Sequence, residues 1–170
     1  MNGVKRVVLT MIFGLVFAAS VQAKDMKFAF VDLSRVFDNY QKTKESDVVL
    51  QKSSQAFKDD SEKMVAKLRD AQGKLALLKE SEKQKMQADI EKQKADLIEF
   101  DKQKRTELAK QRDDKVREIL LEIEKNVSDI AKKDGYDMIF NDRVLIYGDQ
   151  TMNITEKVLK ILNDNYPGKK

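Results

Sequence analysis

Apolar residues change their spacing several times along this chain, and each change marks an element. Residues Val7 to Ala18 form a largely apolar block behind Lys5 and Arg6, and SVQA with small residues at Val21 and Ala23 closes it. The block is too short to cross a bilayer, so the pattern predicts a signal peptide over 1–23, cut between Ala23 and Lys24. KFAFVD at 27–32 then alternates Phe28 and Phe30 against Ala29 and Val31, the period of a strand with two apolar faces. Asp32 supplies an N-cap, with Val31 and Val36 as a hydrophobic staple and Ser34 as a second cap. A first long helix is expected from 32–35 to about Lys79.

Inside that helix the period becomes seven. Leu50, Phe57, Met64, Leu68, Ala71, Leu75 and Leu78 recur with 4-3 spacing, the seam of a coiled coil, weakened by Ser54 and Ser61. LLKESEKQK at 77–85 resets the pattern, because Ser81 and Gln84 have the form of a capping box and open a second helix. Its apolar positions are Met86, Ile90, Leu97, Phe100 and Leu108, then a denser set at Val116, Ile119, Leu120, Ile123, Val127 and Ile130. A chain that folds back near residue 80 brings together positions whose numbers sum to about 161, such as Leu75 with Met86 and Ala71 with Ile90. The two seams then coincide. At about 1.5 Å per residue each limb should reach roughly 65 to 75 Å, far beyond any compact body the other residues could build.

KKDGYD ends the second helix, with Gly135 suited to the left-handed position after Lys132 and Lys133. YDMIF and VLIYG read as two strands turning at Asn141 and Asp142, a hairpin over 136–147. NITEKVLKILN closes the chain as an amphipathic helix over 155–165, with Thr155 as N-cap, Asn153 competing for that role, and Ile154 and Leu159 as staple. The body is thus 24–40 with 121–170, and the arm is 41–120 with its tip near 79–82. About sixty residues build this body, a size at which a single core is marginal. VLIY nevertheless wants cover on both faces. The fold class is α+β, a small β-rich oligomerisation body carrying a long antiparallel two-helix coiled-coil arm. Phe28, Phe30, Val31, Met138, Ile139, Phe140, Val144, Leu145, Ile146 and Tyr147 are the expected assembly residues.

Charge sharpens this picture. The sequence has 33 Lys and Arg against 29 Asp and Glu, and loss of Lys5 and Arg6 with the leader brings the excess to about +2. Signs so interspersed suggest salt-bridged helical surface and no nucleic-acid footprint. Cys and His are both absent, which removes the common zinc sites, the Ser-His-Asp and Cys-His nucleophile systems, and any disulfide. The glycines spell no phosphate-binding loop. No catalytic, cofactor-binding or metal-ligating residue is assigned, no cofactor is expected, and carboxylates such as Asp113 and Asp114 read as solvated surface. Gly73 reads either as a soft point in the arm or as a tolerated surface glycine.

FAFVDLSRVFDNY at 28–40, the lysine-glutamate-glutamine helical hairpin, GYDMIFNDRVLIYG at 135–148 and NITEKVLKILN at 153–163 together resemble the Skp/OmpH family of periplasmic chaperones. The flanking strand segments in this order are far more specific than the hairpin alone. The resemblance implies a trimer whose three tentacles enclose a cavity, and a periplasmic protein that holds unfolded outer-membrane proteins without ATP. It also implies contact with a membrane surface or lipopolysaccharide. Lys83, Lys85, Lys92, Lys94, Lys102, Lys104 and Arg105 match no family cluster residue by residue, however, and the net charge is lower than the family's best-studied members carry. Two other classes share parts of the pattern: an envelope coiled-coil adaptor that binds one folded partner and, far behind, an exported enzyme.

Overall fold

The computed structural model describes residues 25–168, so the expected leader and its Ala23–Lys24 cleavage point lie outside the described residues. The elements are strand β1 (Phe28–Val31), helices α1 (Leu33–Asn39), α2 (Gln41–Leu75) and α3 (Glu80–Asp134), strand β2 (Met138–Asn141) and helix α4 (Thr155–Asn165). Asp32 caps α1 as expected, its carboxylate accepting from the Arg35 N–H at 2.8 Å. Val31 and Val36, the staple pair, are both buried.

The expected single helix from 32–35 to Lys79 is in fact two. Tyr40 stands between α1 and α2 with extended backbone, φ −67° and ψ 131°. Its ring is buried, its hydroxyl donates to Glu122 at 2.7 Å, and Tyr166 meets it edge-on at 5.8 Å between centroids. Nothing local breaks the helix there. Distant partners do, by burying the tyrosine where a continuing helix would have to turn it elsewhere.

α2 and α3 fold back on one another through Ala76–Lys79, just ahead of the tip expected at 79–82. The Ser81 capping box is not formed: α3 already begins at Glu80, behind Lys79, and Glu80 and Glu82 put negative charge at the positive end of the helix dipole. The 35 residues of α2 span about 52 Å. That is shorter than the 65 to 75 Å expected, because the arm leaves the body only at Tyr40. The 55 residues of α3 span about 80 Å and run without interruption from the tip into the body. Gly135 ends α3 with φ 70°, and the next amide, Tyr136 N–H, returns to the Ala131 carbonyl at 2.9 Å.

The body is less β-rich than expected. β1 and β2 pair in parallel, Phe28 with Met138, Ala29 with Ile139, Phe30 with Phe140 and Val31 with Asn141. The Ile154 N–H donates to the Phe30 carbonyl from the other side at 2.9 Å, so β1 lies centrally. The hairpin expected over 136–147 is not formed in the single chain. After Asn141 the chain makes a tight turn over Asp142–Val144, with the Asn141 side chain accepting from the Arg143 N–H at 3.3 Å, and Leu145–Tyr147 makes no strand.

At α4 neither Thr155 nor Asn153 is the N-cap: Ile154 stands there without a side-chain cap bond. Asn153 accepts from the Thr155 N–H at 2.9 Å, while the Thr155 hydroxyl accepts from the Asp32 N–H at 2.9 Å and ties α4 to the start of α1. The core lies between these elements: Ala29 and Val31 from β1, Val36 from α1, Ile119, Ile123 and Ile130 from α3, and Val158 and Leu162 from α4.

Candidate functional site

β1 and β2 sort the expected assembly residues into two groups, because side chains alternate across a strand. Val31 is buried in the chain's own core with Ile139 packed against it, while Phe30, on the opposite face with Phe28 and Phe140, is buried outside that core cluster. Phe140, Met138, Val144, Ile146 and Tyr147 are exposed, with Ile146 and Tyr147 the most open. Phe28 and Leu145 are intermediate. The Phe28 ring lies 6.2 Å from that of Phe140, joining both strands in one aromatic pair. The Gly148 backbone then closes over Phe30, where an added Cβ would come within 2.7 Å of the ring. Two further exposed apolar residues, Leu120 and Leu121, belong to α3 at body level. Sequence reasoning placed Leu120 in the helix seam and passed over Leu121.

The arm is built differently. Its register falls near the expected sum of about 161: the Phe57 and Phe100 rings meet tilted at 5.8 Å, one turn short of it, and the Arg105 guanidinium lies 5.9 Å over the Phe57 ring. Among the described residues of the shaft only Ala71 and Ile90 are buried apolar side chains. Val48, Val49, Val65, Leu77 and Ile98 are exposed instead, between ion pairs such as Asp60–Lys63, Asp70–Lys74 and Glu91–Lys94 that each lie within one helix.

At the arm's root a polar cluster joins three helices. Lys42 reaches Glu118 at 2.8 Å and Glu122 at 2.6 Å, and Glu122 also accepts from Tyr40. Tyr166 donates to Glu45 at 2.7 Å, and the Asn163 side chain accepts from the Gln41 N–H at 2.8 Å. Hydrogen bonds from Lys42 and then Lys115 hold the Glu118 carboxyl down at about 2. Burial pushes Glu122 up, but its bonds from Lys42 and Tyr40 prevail and lower it. Burial works against the Lys42 ammonium, and the two glutamates outweigh it and raise its pKa. Burial first, and the Glu122 carboxylate second, push the Tyr40 phenol above its ordinary range. Beside the cluster a groove of about 670 Å³ is lined by Val49, Leu50 and Tyr166 among others. None of these root contacts was singled out from the sequence, where Tyr40 and Tyr166 are two of four tyrosines and nothing in the spacing pairs them.

No group of three or more metal-ligating side chains exists among the described residues, and the root glutamates are satisfied by lysines and a tyrosine. A compact α+β body with an exposed apolar face and a helical-hairpin arm defines a class of arm-bearing proteins. The comparisons with known proteins agree: residues 27–162 match the family described as outer membrane protein (OmpH-like), and the chain belongs to that OmpH/Skp family of chaperones. It is 30% identical over 160 residues to the chaperone protein Skp of Yersinia enterocolitica, covering 86% of this chain and 92% of that one. It is 26% identical over 143 residues to the chaperone protein Skp of Vibrio cholerae serotype O1, covering 80% and 83%. The crystal structure of an OmpH-like protein from Caulobacter crescentus CB15 superposes with a TM-score of 0.76 at 10% identity, over 83% of this chain and 86% of that one. Family membership makes the chain a chaperone and not an enzyme.

Proposed function

We propose that this chain is an ATP-independent periplasmic holdase that binds unfolded outer-membrane proteins between its arms and keeps them from aggregating before membrane assembly. It works as a homo-oligomer, a trimer by family resemblance, with 24–40 and 121–170 as the assembling body and 41–120 as the arm. Residues 1–23 direct its export. The observation that carries this reading is one chain's combination of an uncovered apolar body face with an arm too long to serve any core. Assembly covers Phe140, Val144, Ile146 and Tyr147. The arms, with small apolar sites between ion pairs, then offer an unfolded chain many weak contacts. Contacts of that kind release a client without fuel, because no single one holds it.

Light scattering of an unfolded outer-membrane β-barrel diluted from urea, with no nucleotide present, tests the proposal. Scattering should be suppressed by the assembled protein at near-equimolar oligomer. Unimpeded aggregation would overturn the holdase reading and leave an adaptor for a folded partner.

A further inference from the structure

We propose that the segment Asn163–Tyr166 is a latch: it pins the root of α2 to the body and thereby sets how far the arm can bend. The argument begins with the different construction of the two helices. α3 crosses from tip to body without a break, whereas α2 starts afresh after the extended Tyr40. The arm is therefore two rods joined at the tip, one continuous with the body and one attached to it through a non-helical residue.

Two joined rods bend in their common plane only if one slides along the other at the open end. The slide equals their separation times the bend angle, so with axes about 9 Å apart a bend of about 20° needs about 3 Å of slide. Three ångströms exceeds the play of a hydrogen bond. Along the shaft little polar contact opposes such a slide: among the described residues every ion pair outward of Glu45 lies within one helix, and the seam itself contains Ser54 and Ser61.

The root is where sliding is stopped. The Asn163 side chain accepts from the Gln41 N–H at 2.8 Å, the first amide of α2, and Tyr166 donates to Glu45 at 2.7 Å one turn further on. Lys42, between them, is clamped by Glu118 and Glu122 of α3. The Tyr166 ring also meets Tyr40 edge-on at 5.8 Å. Asn163 and Tyr166 are only half-buried; the Tyr166 ring packs against the core, but its hydroxyl and the Asn163 amide oxygen can let go while that ring and Leu162 stay in place. An arm latched at α4 is stiff, and an unlatched arm bends.

The chain has no cysteine, so a spin-label pair can be placed at Gln51→Cys on α2 and Lys92→Cys on α3, both exposed. On the antiparallel register these lie about 27 Å apart along the arm, at about 1.5 Å per residue, so a slide alters their distance almost one for one. Labelled chain is diluted into excess unlabelled chain, and double electron–electron resonance is read with Asn163→Ala, with Tyr166→Phe, and with both. Exchange of the Gln41 amide and the helical circular dichroism are followed alongside. The expected result is a distance distribution broadened by about 3 Å in the double variant and less in each single one, with helical content retained. The proposal is overturned if Gln41 exchanges faster, showing the tie broken, while the distribution keeps its native width. Tyr166→Phe keeps the ring on Tyr40 and loses only the hydroxyl, so it supplies the test should the alanine variant lose its fold.

Discussion

In the body, side chains from β1, α1, α3 and α4 converge on Val36, Ile123 and Val158 until none of the three has any exposed surface. In the shaft of the arm, two helices built from the same residue types bury only Ala71 and Ile90. The body holds its geometry by convergence, since each element packs against several others. The arm has only one neighbour per helix and relies on propensity and within-helix ion pairs, each worth at most a few tenths of a kcal/mol. The proposed holding of clients uses both kinds of region: one that fixes where the arms start and one that adapts.

The largest effect that would sharpen this contrast comes from matched truncations. Ile123→Ala should cost roughly 3 kcal/mol of stability and lower the denaturant midpoint of the whole protein. Ile90→Ala should cost about 1 kcal/mol, confined to exchange of arm amides, because the pair Ala71 and Ile90 has no further layer behind it. Equal shifts from both would break the comparison. Gly148→Ala belongs to the body side: its Cβ would meet the Phe30 ring at 2.7 Å, and overpacking of that kind should cost about 1 to 2 kcal/mol in thermal melts.

A second prediction separates outer face from core. Phe140→Asp or Ile146→Asp should shift sedimentation toward monomer while helical content persists. Ile139→Asp, whose side chain packs on the chain's own core, should unfold the body itself. An assembly indifferent to Phe140→Asp and Ile146→Asp would remove this face from the interface. Gly73→Ala tests the arm in the opposite sense: an added Cβ meets nothing within 4 Å, so it should slow exchange in α2 by up to about 1 kcal/mol of local stability.

The smallest effect is in acid. Glu118 and Glu122 have pKa values lowered in the folded state, so their contribution is present above the ordinary carboxylate range and is lost as pH falls through the folded values, for Glu118 toward about 2. Lys42 is raised, so its contribution holds below its ordinary value of 10.5 and fades above it. Both ends of Lys42–Glu118 are partly exposed, which limits the pair to roughly 0.5 kcal/mol. A urea midpoint followed from pH 6 to pH 2 should fall slightly less in Glu118→Gln than in the native protein.

The sequence made legible what depends on neighbours in the chain. The Asp32 cap, the Val31–Val36 staple, the Gly135 helix end and the fold-back register all follow from spacings of a few residues or from one repeated period. The Tyr40 break was not legible, because its causes are Glu122, Asn163 and Tyr166, distant in sequence and adjacent only in the fold. Parallel pairing of β1 with β2 was hidden for the same reason. VLIYG illustrates a different limit: its apolar run implies cover on two sides, and a single chain leaves Val144, Ile146 and Tyr147 open. The pattern specified a need that the described residues do not meet.

The strand pair at the centre of the body also dictates an order of events. Lys27 and Asp137, the hydrogen-bonded residues beside the strands, are separated by 110 positions. Closing a flexible loop of that length costs about 4 kcal/mol before any strand contact repays it. A helical hairpin zipped first removes most of that cost, because it delivers Tyr40 and Glu122 side by side and leaves only short segments to join. An emerging chain therefore has no body until α4 appears, and the arm is the scaffold on which its own foundation is laid.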